Sequence, residues 1–259
     1  MIQLIKSYLK FLKNSSNQHG VHSPFVYSLI TKCFYDKKKY EGYEILKQYR
    51  KSLLENKNFI KVTDFGAGSR VFKSNKRQIS KIAKTAGISS KRAELLFRVV
   101  NYFQPKTILE IGTSLGLATS ALSLGNKNTK IISLEGCSKT QGVAKFQLEN
   151  SKFQNIEFIT NKFEDYLTTL NLKPKTYNLI YFDGNHSKKA TLDYFELLLP
   201  TITNETVWIF DDIHWSKDME EAWEIIKIHP KVQVTIDTFQ WGFVFFREEQ
   251  EKEHFVVRV

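Results

Sequence analysis

The chain has 259 residues, of which 42% are hydrophobic and 25% are charged, so it can build a folded core and is not disordered by composition. Its formal net charge of +11 favours contact with acidic partners such as phosphorylated metabolites, nucleic acid or anionic lipid. Two cysteines, Cys33 and Cys137, are too few for a disulfide framework, and we therefore expect a cytoplasmic location.

Residues 1–105 are predicted to form a mainly helical extension, or cap, ahead of an α/β domain at residues 106–259. We expect the apolar face of the first helix to pack on the core, and binding to a membrane surface is the less favoured alternative. Its interspersed lysines argue against a secretory signal, and no transmembrane span is predicted. The apolar positions are Ile2, Leu4, Ile5, Leu9 and Leu12. Residues 64–69 are predicted to form a turn, and the sequence assigns no role to His19 or His22.

From Lys106 onward, strand patterns alternate with helix patterns, which is typical of a mostly parallel sheet with helices on both faces. The predicted strands are Thr107–Ile111, Lys130–Leu134, Ile156–Thr160, Tyr177–Asp183, Thr206–Phe210, Val232–Thr238 and Gly242–Arg247. The predicted helices are Leu115–Leu124, Lys139–Asn150, Phe163–Leu170, Lys188–Leu199 and Lys217–Ile228. Only three residues separate the last two strands, so these should pair as an antiparallel hairpin. The predicted fold class is α/β and Rossmann-like, with a C-terminal hairpin and a helical N-terminal extension.

A glycine-containing turn follows the first strand of this domain. In the segment from Ile111 to Gly116, the chain leaves a strand, passes two glycines and enters a helix with free backbone N–H groups at its start. About twenty residues further on, Glu135 ends the next strand, where its carboxylate can accept hydrogen bonds from both hydroxyls of a ribose. The third glycine of a dinucleotide-binding motif is missing, which disfavours a nicotinamide cofactor.

These motifs resemble the class I S-adenosylmethionine-dependent methyltransferases over roughly the last three fifths of the chain. The resemblance implies that Glu135 holds the ribose, that Glu110 lies near the amino group of the cofactor and that Phe163 contacts the adenine. The full set of cofactor contacts implied in this way is Glu110, Gly112, Thr113, Ser114, Gly116, Glu135, Gly136, Phe163 and Asp183.

Carboxylates follow two neighbouring strands later in the chain. Asp183 ends one strand and is followed by His186, while Asp211 and Asp212 end the next strand. Carboxylates this close repel one another unless they are protonated or neutralised, and oxygen ligands suit a hard cation, so we predict magnesium, or else manganese or calcium. His214 follows the second pair and is predicted to have a structural role.

The second pattern is similar to the metal-dependent O-methyltransferases of the catechol, caffeoyl-CoA and macrolide-sugar types. The resemblance implies that Asp183, Asp211 and Asp212 bind the metal, that His186 is the general base and that Asp183 also takes part in catalysis. The acceptor is then a hydroxyl of a small molecule, and the net charge of the chain favours an anionic one. The aspartate pair at 211–212 departs from the Asp-Asn of the catechol enzymes, which weakens the inference of a catechol substrate.

Three alternatives remain open at this point. The net charge and the aromatic residues are compatible with an RNA methyltransferase. The residues from Gly112 to Gly116 also match the G-x-S-x-G turn of serine hydrolases, with Ser114 as the nucleophile. A cofactor-binding regulator without catalysis is the third. The sequence determines neither the acceptor nor whether the protein is a monomer or a homodimer.

Overall fold

A computed structural model describes residues 2–66, 68, 71–151, 153–172 and 176–259. The chain divides into two compact units: one consists of Met1–Tyr35 and Glu164–Val259, and the other consists of Asp36–Phe163. The predicted division at residue 105 stays a prediction.

The unit from Asp36 to Phe163 contains a three-stranded parallel sheet, in which the strand Lys130–Glu135 lies between Thr107–Ile111 and Ile156–Thr160. Its elements are α3 (Glu41–Glu55), β1 (Phe59–Lys61), β2 (Lys76–Gln78), α4 (Ile79–Thr85), α5 (Ser90–Phe103), β3 (Thr107–Ile111), α6 (Leu117–Gly125), β4 (Lys130–Glu135), α7 (Ser138–Asn150) and β5 (Ile156–Thr160). The side chains of β3 are almost all buried, as expected for a strand that is covered on both faces.

The other unit contains the second set of strands, in which Leu179–Phe182 and Val207–Asp211 are parallel. Its elements are α1 (Ile2–Asn14), α2 (Pro24–Leu29), α8 (Phe163–Leu172, which starts at the unit boundary), β6 (Leu179–Phe182), α9 (Lys188–Leu198), β7 (Val207–Asp211), α10 (Lys217–Ile228), β8 (Val234–Asp237), β9 (Trp241–Phe245) and β10 (Glu253–Val256). The strand β9 is antiparallel to both β7 and β8, which confirms the predicted hairpin.

The predicted fold class is confirmed: the protein has a Rossmann-like, mostly parallel α/β architecture with an antiparallel C-terminal hairpin and helices at its N-terminus. Three local differences from the prediction are observed. Helix α6 begins two residues later than predicted because Ser114 and Gly116 have φ angles of 47° and 77° and cannot be helical. The hairpin of β1 and β2 interrupts the predicted helical extension. The short strand β10, parallel to β8, was not predicted.

The prediction for the first helix is wrong in one respect. Of the apolar side chains that were expected to pack on the core, Ile5 is 54% exposed, Leu9 is 60% exposed and Leu12 is 37% exposed. Leu4 is half-buried, and the side chain of Ile2 lies outside the described residues. Helix α1 instead buries Ser7 and Phe11. Among the described residues, no helix is long and apolar enough to cross a membrane.

Candidate active site

The glycine turn between β3 and α6 is bound to the end of β4. The backbone N–H groups of Gly112 and Thr113 both donate to the carbonyl of Leu134, at 2.9 and 3.2 Å. Positive φ angles at Gly112 (108°), Ser114 (47°) and Gly116 (77°) let the backbone fold tightly here. A non-glycine residue in this region is uncommon, and Ser114 therefore marks a strained turn of the kind found at ligand sites.

Glu135 accepts hydrogen bonds from this turn. Its Oε2 accepts from the backbone N–H of Ser114 at 2.8 Å, and its Oε1 accepts from the backbone N–H of Cys137 at 2.9 Å. Burial raises the pKa of Glu135, while the backbone hydrogen bonds oppose that shift. Each carboxylate oxygen can accept a further hydrogen bond, so the side chain holds the loop and still has capacity for a diol.

Glu110 lies beneath the turn and is fully buried. Its Oε2 accepts from the hydroxyls of Thr119, at 2.6 Å, and Ser133, at 2.5 Å. Its Oε1 is buried and has no hydrogen-bond partner among the described residues. Burial raises the pKa of Glu110 to about 7, against the lowering effect of its two hydroxyl donors. An unpartnered buried acceptor is costly, and it fits a site that receives a donor such as the ammonium group of S-adenosylmethionine.

Two residues at this site were missed by the sequence analysis. Tyr49, on α3, donates its hydroxyl hydrogen to the carbonyl of Leu115 at 2.7 Å, so part of the predicted extension supports the glycine turn. Phe65 packs closely on Gly136. A Cβ atom at position 136 would lie only 2.7 Å from Cδ2 of the phenylalanine ring. Both lie far from the motif in sequence, and no spacing rule links them to it.

The predicted turn at residues 64–69 and the predicted adenine contact can each be located in part. Asp64 Oδ1 accepts from the backbone N–H of Gly66 at 3.2 Å, as in a turn, whereas Ala67 and Ser69 lie outside the described residues. Phe163 is partly exposed at the start of α8, and its role as an adenine contact stays a prediction.

The second candidate cluster belongs to the other unit. Asp183 follows β6, and its Oδ1 lies 3.5 Å from Nε2 of His186. Asp211 ends β7; its Oδ2 accepts from the hydroxyl of Tyr181 at 3.1 Å, and its Oδ1 accepts from the backbone N–H of Asp212 at 2.8 Å. Asp212 has a φ of 54°, a further strained residue at a strand end.

These predicted residues lie close enough for their charges to shift one another's pKa. Burial, followed by the charge of Asp211, raises the pKa of Asp183, while His186 opposes the shift. Burial alone would lower the pKa of His186, but the hydrogen bond and charge of Asp183, with Asp212 and Asp211, raise it to about 9. The cluster therefore has an excess of negative charge that a cation would relieve.

The donor set fits a divalent cation in ligand type and in charge. Among the described residues, however, no group of three or more His, Cys, Asp or Glu side chains is arranged to hold a metal ion. The metal role of Asp183, Asp211 and Asp212 therefore stays a prediction. A small cavity beside these residues is lined by His186, Asp211 and aromatic side chains that include Phe182 and Tyr194.

His214 makes contacts of the kind that its predicted structural role requires. Its Nδ1 lies 3.0 Å from Glu220 Oε1, its Nε2 lies 2.8 Å from Asp237 Oδ2, and its ring stacks on Phe239 at 5.2 Å between ring centroids. Because both ring nitrogens are engaged, His214 is not positioned to exchange a proton with a substrate.

Comparison with known proteins finds a match in the central part of the chain. A family model described as a methyltransferase domain matches residues 109–213. This range includes both candidate clusters, and the match weighs against a serine hydrolase that uses Ser114. No curated protein matches the chain.

Several solved structures have a similar fold. They include an O-methyltransferase from Bacillus cereus in complex with S-adenosylhomocysteine (20% identity, 83% of this chain and 93% of that chain, TM-score 0.55). A methyltransferase of Podospora anserina bound to S-adenosylhomocysteine is also similar (13%, 88% and 97%, 0.61). So is an O-methyltransferase from Streptomyces achromogenes, in complex with S-adenosylmethionine and involved in tomaymycin synthesis (15%, 80% and 89%, 0.55). The protein therefore has the fold of these methyltransferases, and its residues 109–213 match a methyltransferase domain.

Proposed function

We propose that the protein transfers the methyl group of S-adenosylmethionine to a hydroxyl oxygen of a small-molecule acceptor. We propose that a divalent cation assists the transfer, with magnesium as the favoured metal. The observation that carries this proposal is the pairing of His186 with Asp183 beside the carboxylates of Asp211 and Asp212. The similar proteins from Bacillus cereus and Streptomyces achromogenes are O-methyltransferases, which supports oxygen as the accepting atom.

On the donor side, two carboxylates have separate tasks. Glu135 would accept hydrogen bonds from the ribose hydroxyls while its existing bonds to Ser114 and Cys137 hold it in place. The unpartnered Oε1 of Glu110 would accept from the ammonium group of the methionine part. When bound, S-adenosylmethionine supplies an electrophilic methyl group, which leaves its sulfur as the new bond forms.

On the acceptor side, the pKa of His186 would fall when a bound cation neutralises the neighbouring carboxylates, and the neutral imidazole would then remove the proton of the reacting hydroxyl. The acceptor oxygen then attacks the methyl carbon, the C–O bond forms and the S–C bond breaks, and the positive charge of the sulfonium is lost as the proton stays on the imidazole. Asp183 stabilises the imidazolium and fixes the orientation of the ring. When bound, a cation held by Asp183, Asp211 and Asp212 would lower the pKa of the acceptor hydroxyl and orient its oxygen.

Methyl transfer from labelled S-adenosylmethionine to a panel of hydroxylated small molecules tests this function. His186→Ala should lower turnover by roughly 10²- to 10⁴-fold and leave cofactor binding intact. His22→Ala, at an exposed histidine in the same unit, is the matched control. Unchanged turnover in His186→Ala would exclude it as the base, and transfer to RNA but to no small molecule would favour the RNA alternative.

The cytoplasmic location and a homodimer also stay predictions.

A further inference from the structure

Helix α1 presents three different faces. Ser7 and Phe11 are buried, and Phe11 packs on Phe239 with 5.4 Å between ring centroids. The helix is also tied down near its start, where Gln3 Nε2 donates to Glu220 Oε2 at 3.2 Å. This side attaches α1 to its own unit, and the remaining two faces point to solvent.

The second face is an exposed apolar stripe. Ile5, Leu9 and Leu12 follow one another at spacings of four and three residues, which places them on one side of the helix. Their exposed fractions are 54%, 60% and 37%, and the neighbouring Tyr8 is 45% exposed. Single exposed apolar side chains are ordinary, but a contiguous stripe along a folded helix marks an interaction surface.

The third face is basic and borders the stripe. Lys6, Lys10 and Lys13 each follow one stripe residue, about 100° further round the helix. All three are exposed, and none has an ion-pair partner in the described part of the chain. The helix contains no acidic residue, so its charge is not neutralised locally.

We propose that this surface, formed by the apolar stripe and the three lysines, docks on an anionic lipid membrane. A helix of thirteen residues is too short to span a bilayer, so it would lie in the plane of the interface with the stripe among the acyl chains. The lysines and the net charge of +11 would meet the anionic headgroups. Pairing of two copies through the stripe is disfavoured because it would bring the unpartnered lysines of both helices together, and nucleic acid offers the stripe no apolar partner.

Co-sedimentation of the full-length protein with vesicles tests the proposal. We expect binding to vesicles of equal parts phosphatidylcholine and phosphatidylglycerol, weaker binding at high salt, and none to pure phosphatidylcholine. Leu9→Gln should weaken binding about tenfold through the lost apolar burial. Replacing Lys6, Lys10 and Lys13 together by glutamate should weaken it by at least roughly a hundredfold, at about fivefold for each lysine.

Matched controls separate this surface from general stickiness. Ile228→Gln removes an apolar side chain that is 70% exposed in the same unit, and glutamate at Lys37, Lys39 and Lys57 makes the same change of charge elsewhere. Both control proteins should bind as the wild type does, and circular dichroism checks that every variant is folded. Equal effects of test and control variants, failure of the wild type to bind anionic vesicles, or a dimer that Leu9→Gln dissociates in light scattering would overturn the proposal.

Discussion

Replacing Glu110 by glutamine should make the stability of the protein less sensitive to alkaline pH. The carboxyl is fully buried, and within the described part of the chain its only hydrogen-bond donors are the hydroxyls of Thr119 and Ser133. Ionisation of Glu110 therefore costs free energy in the folded state that it does not cost in the unfolded chain. Glutamine retains an oxygen for the two donors and cannot ionise.

The size of the effect follows from the pKa. Burial raises the pKa of Glu110 from 4.5 to about 7, so the folded state binds this proton more tightly than the unfolded state does. Wild-type stability should then fall as pH rises through this window, since the unfolded state loses the proton first. The full shift corresponds to about 3 kcal/mol, of which about 2.5 kcal/mol lies between about pH 5 and about pH 8.

Urea denaturation at these two pH values measures the difference. The unfolding free energy of Glu110→Gln minus that of the wild type should rise by about 2.5 kcal/mol from the lower pH to the higher. The unpartnered N–H group of the glutamine adds an offset that is the same at both pH values and cancels. Glu44→Gln, at an exposed glutamate, should show no such rise. A difference for Glu110→Gln that does not change with pH would refute this reasoning.

Three further predictions concern the turn and the cation. Gly116→Ala should lower the free energy of unfolding by about 1–3 kcal/mol in thermal denaturation, because φ is 77° and the added Cβ would lie 2.9 Å from Leu148 Cδ1 and Tyr49 Oη. Gly142→Ala, with nothing within 4 Å of the added Cβ, should be neutral or stabilising, and equal losses would contradict the argument. Tyr49→Phe should cost about 1–3 kcal/mol in urea denaturation by leaving the carbonyl of Leu115 unpaired, and an unchanged midpoint would exclude that role. Chelation of divalent cations should abolish methyl transfer without changing S-adenosylmethionine affinity; full turnover in chelator would remove the metal from the proposal.

The strands and the two clusters could be predicted because each depends on local sequence. Buried parallel strands have short apolar runs, and residues that follow such strands lie at their carboxyl ends. This logic predicted that Glu135 and Asp211 lie at strand ends, and they end β4 and β7 in the structure. It also anticipated the hairpin of β8 and β9 from its short connection.

The remaining features depend on contacts that sequence periodicity does not contain. Tyr49 reaches Leu115 across 66 positions, and only the packing of α3 brings them together. The buried face of α1 includes Ser7, whereas the apolar Leu9 faces solvent, because which side of a helix is covered depends on its neighbours. The start of α6 was misplaced because the positive φ angle of Ser114 is not evident from residue type.

Calorimetric titration with S-adenosylmethionine, with and without magnesium, tests the central claim most directly. We predict micromolar binding by the wild type that is lost in Glu135→Ala and kept in Glu149→Ala, which removes an exposed carboxylate from α7. Absence of binding by the folded wild-type protein, or equal binding by Glu135→Ala, would contradict a donor site built around this glutamate.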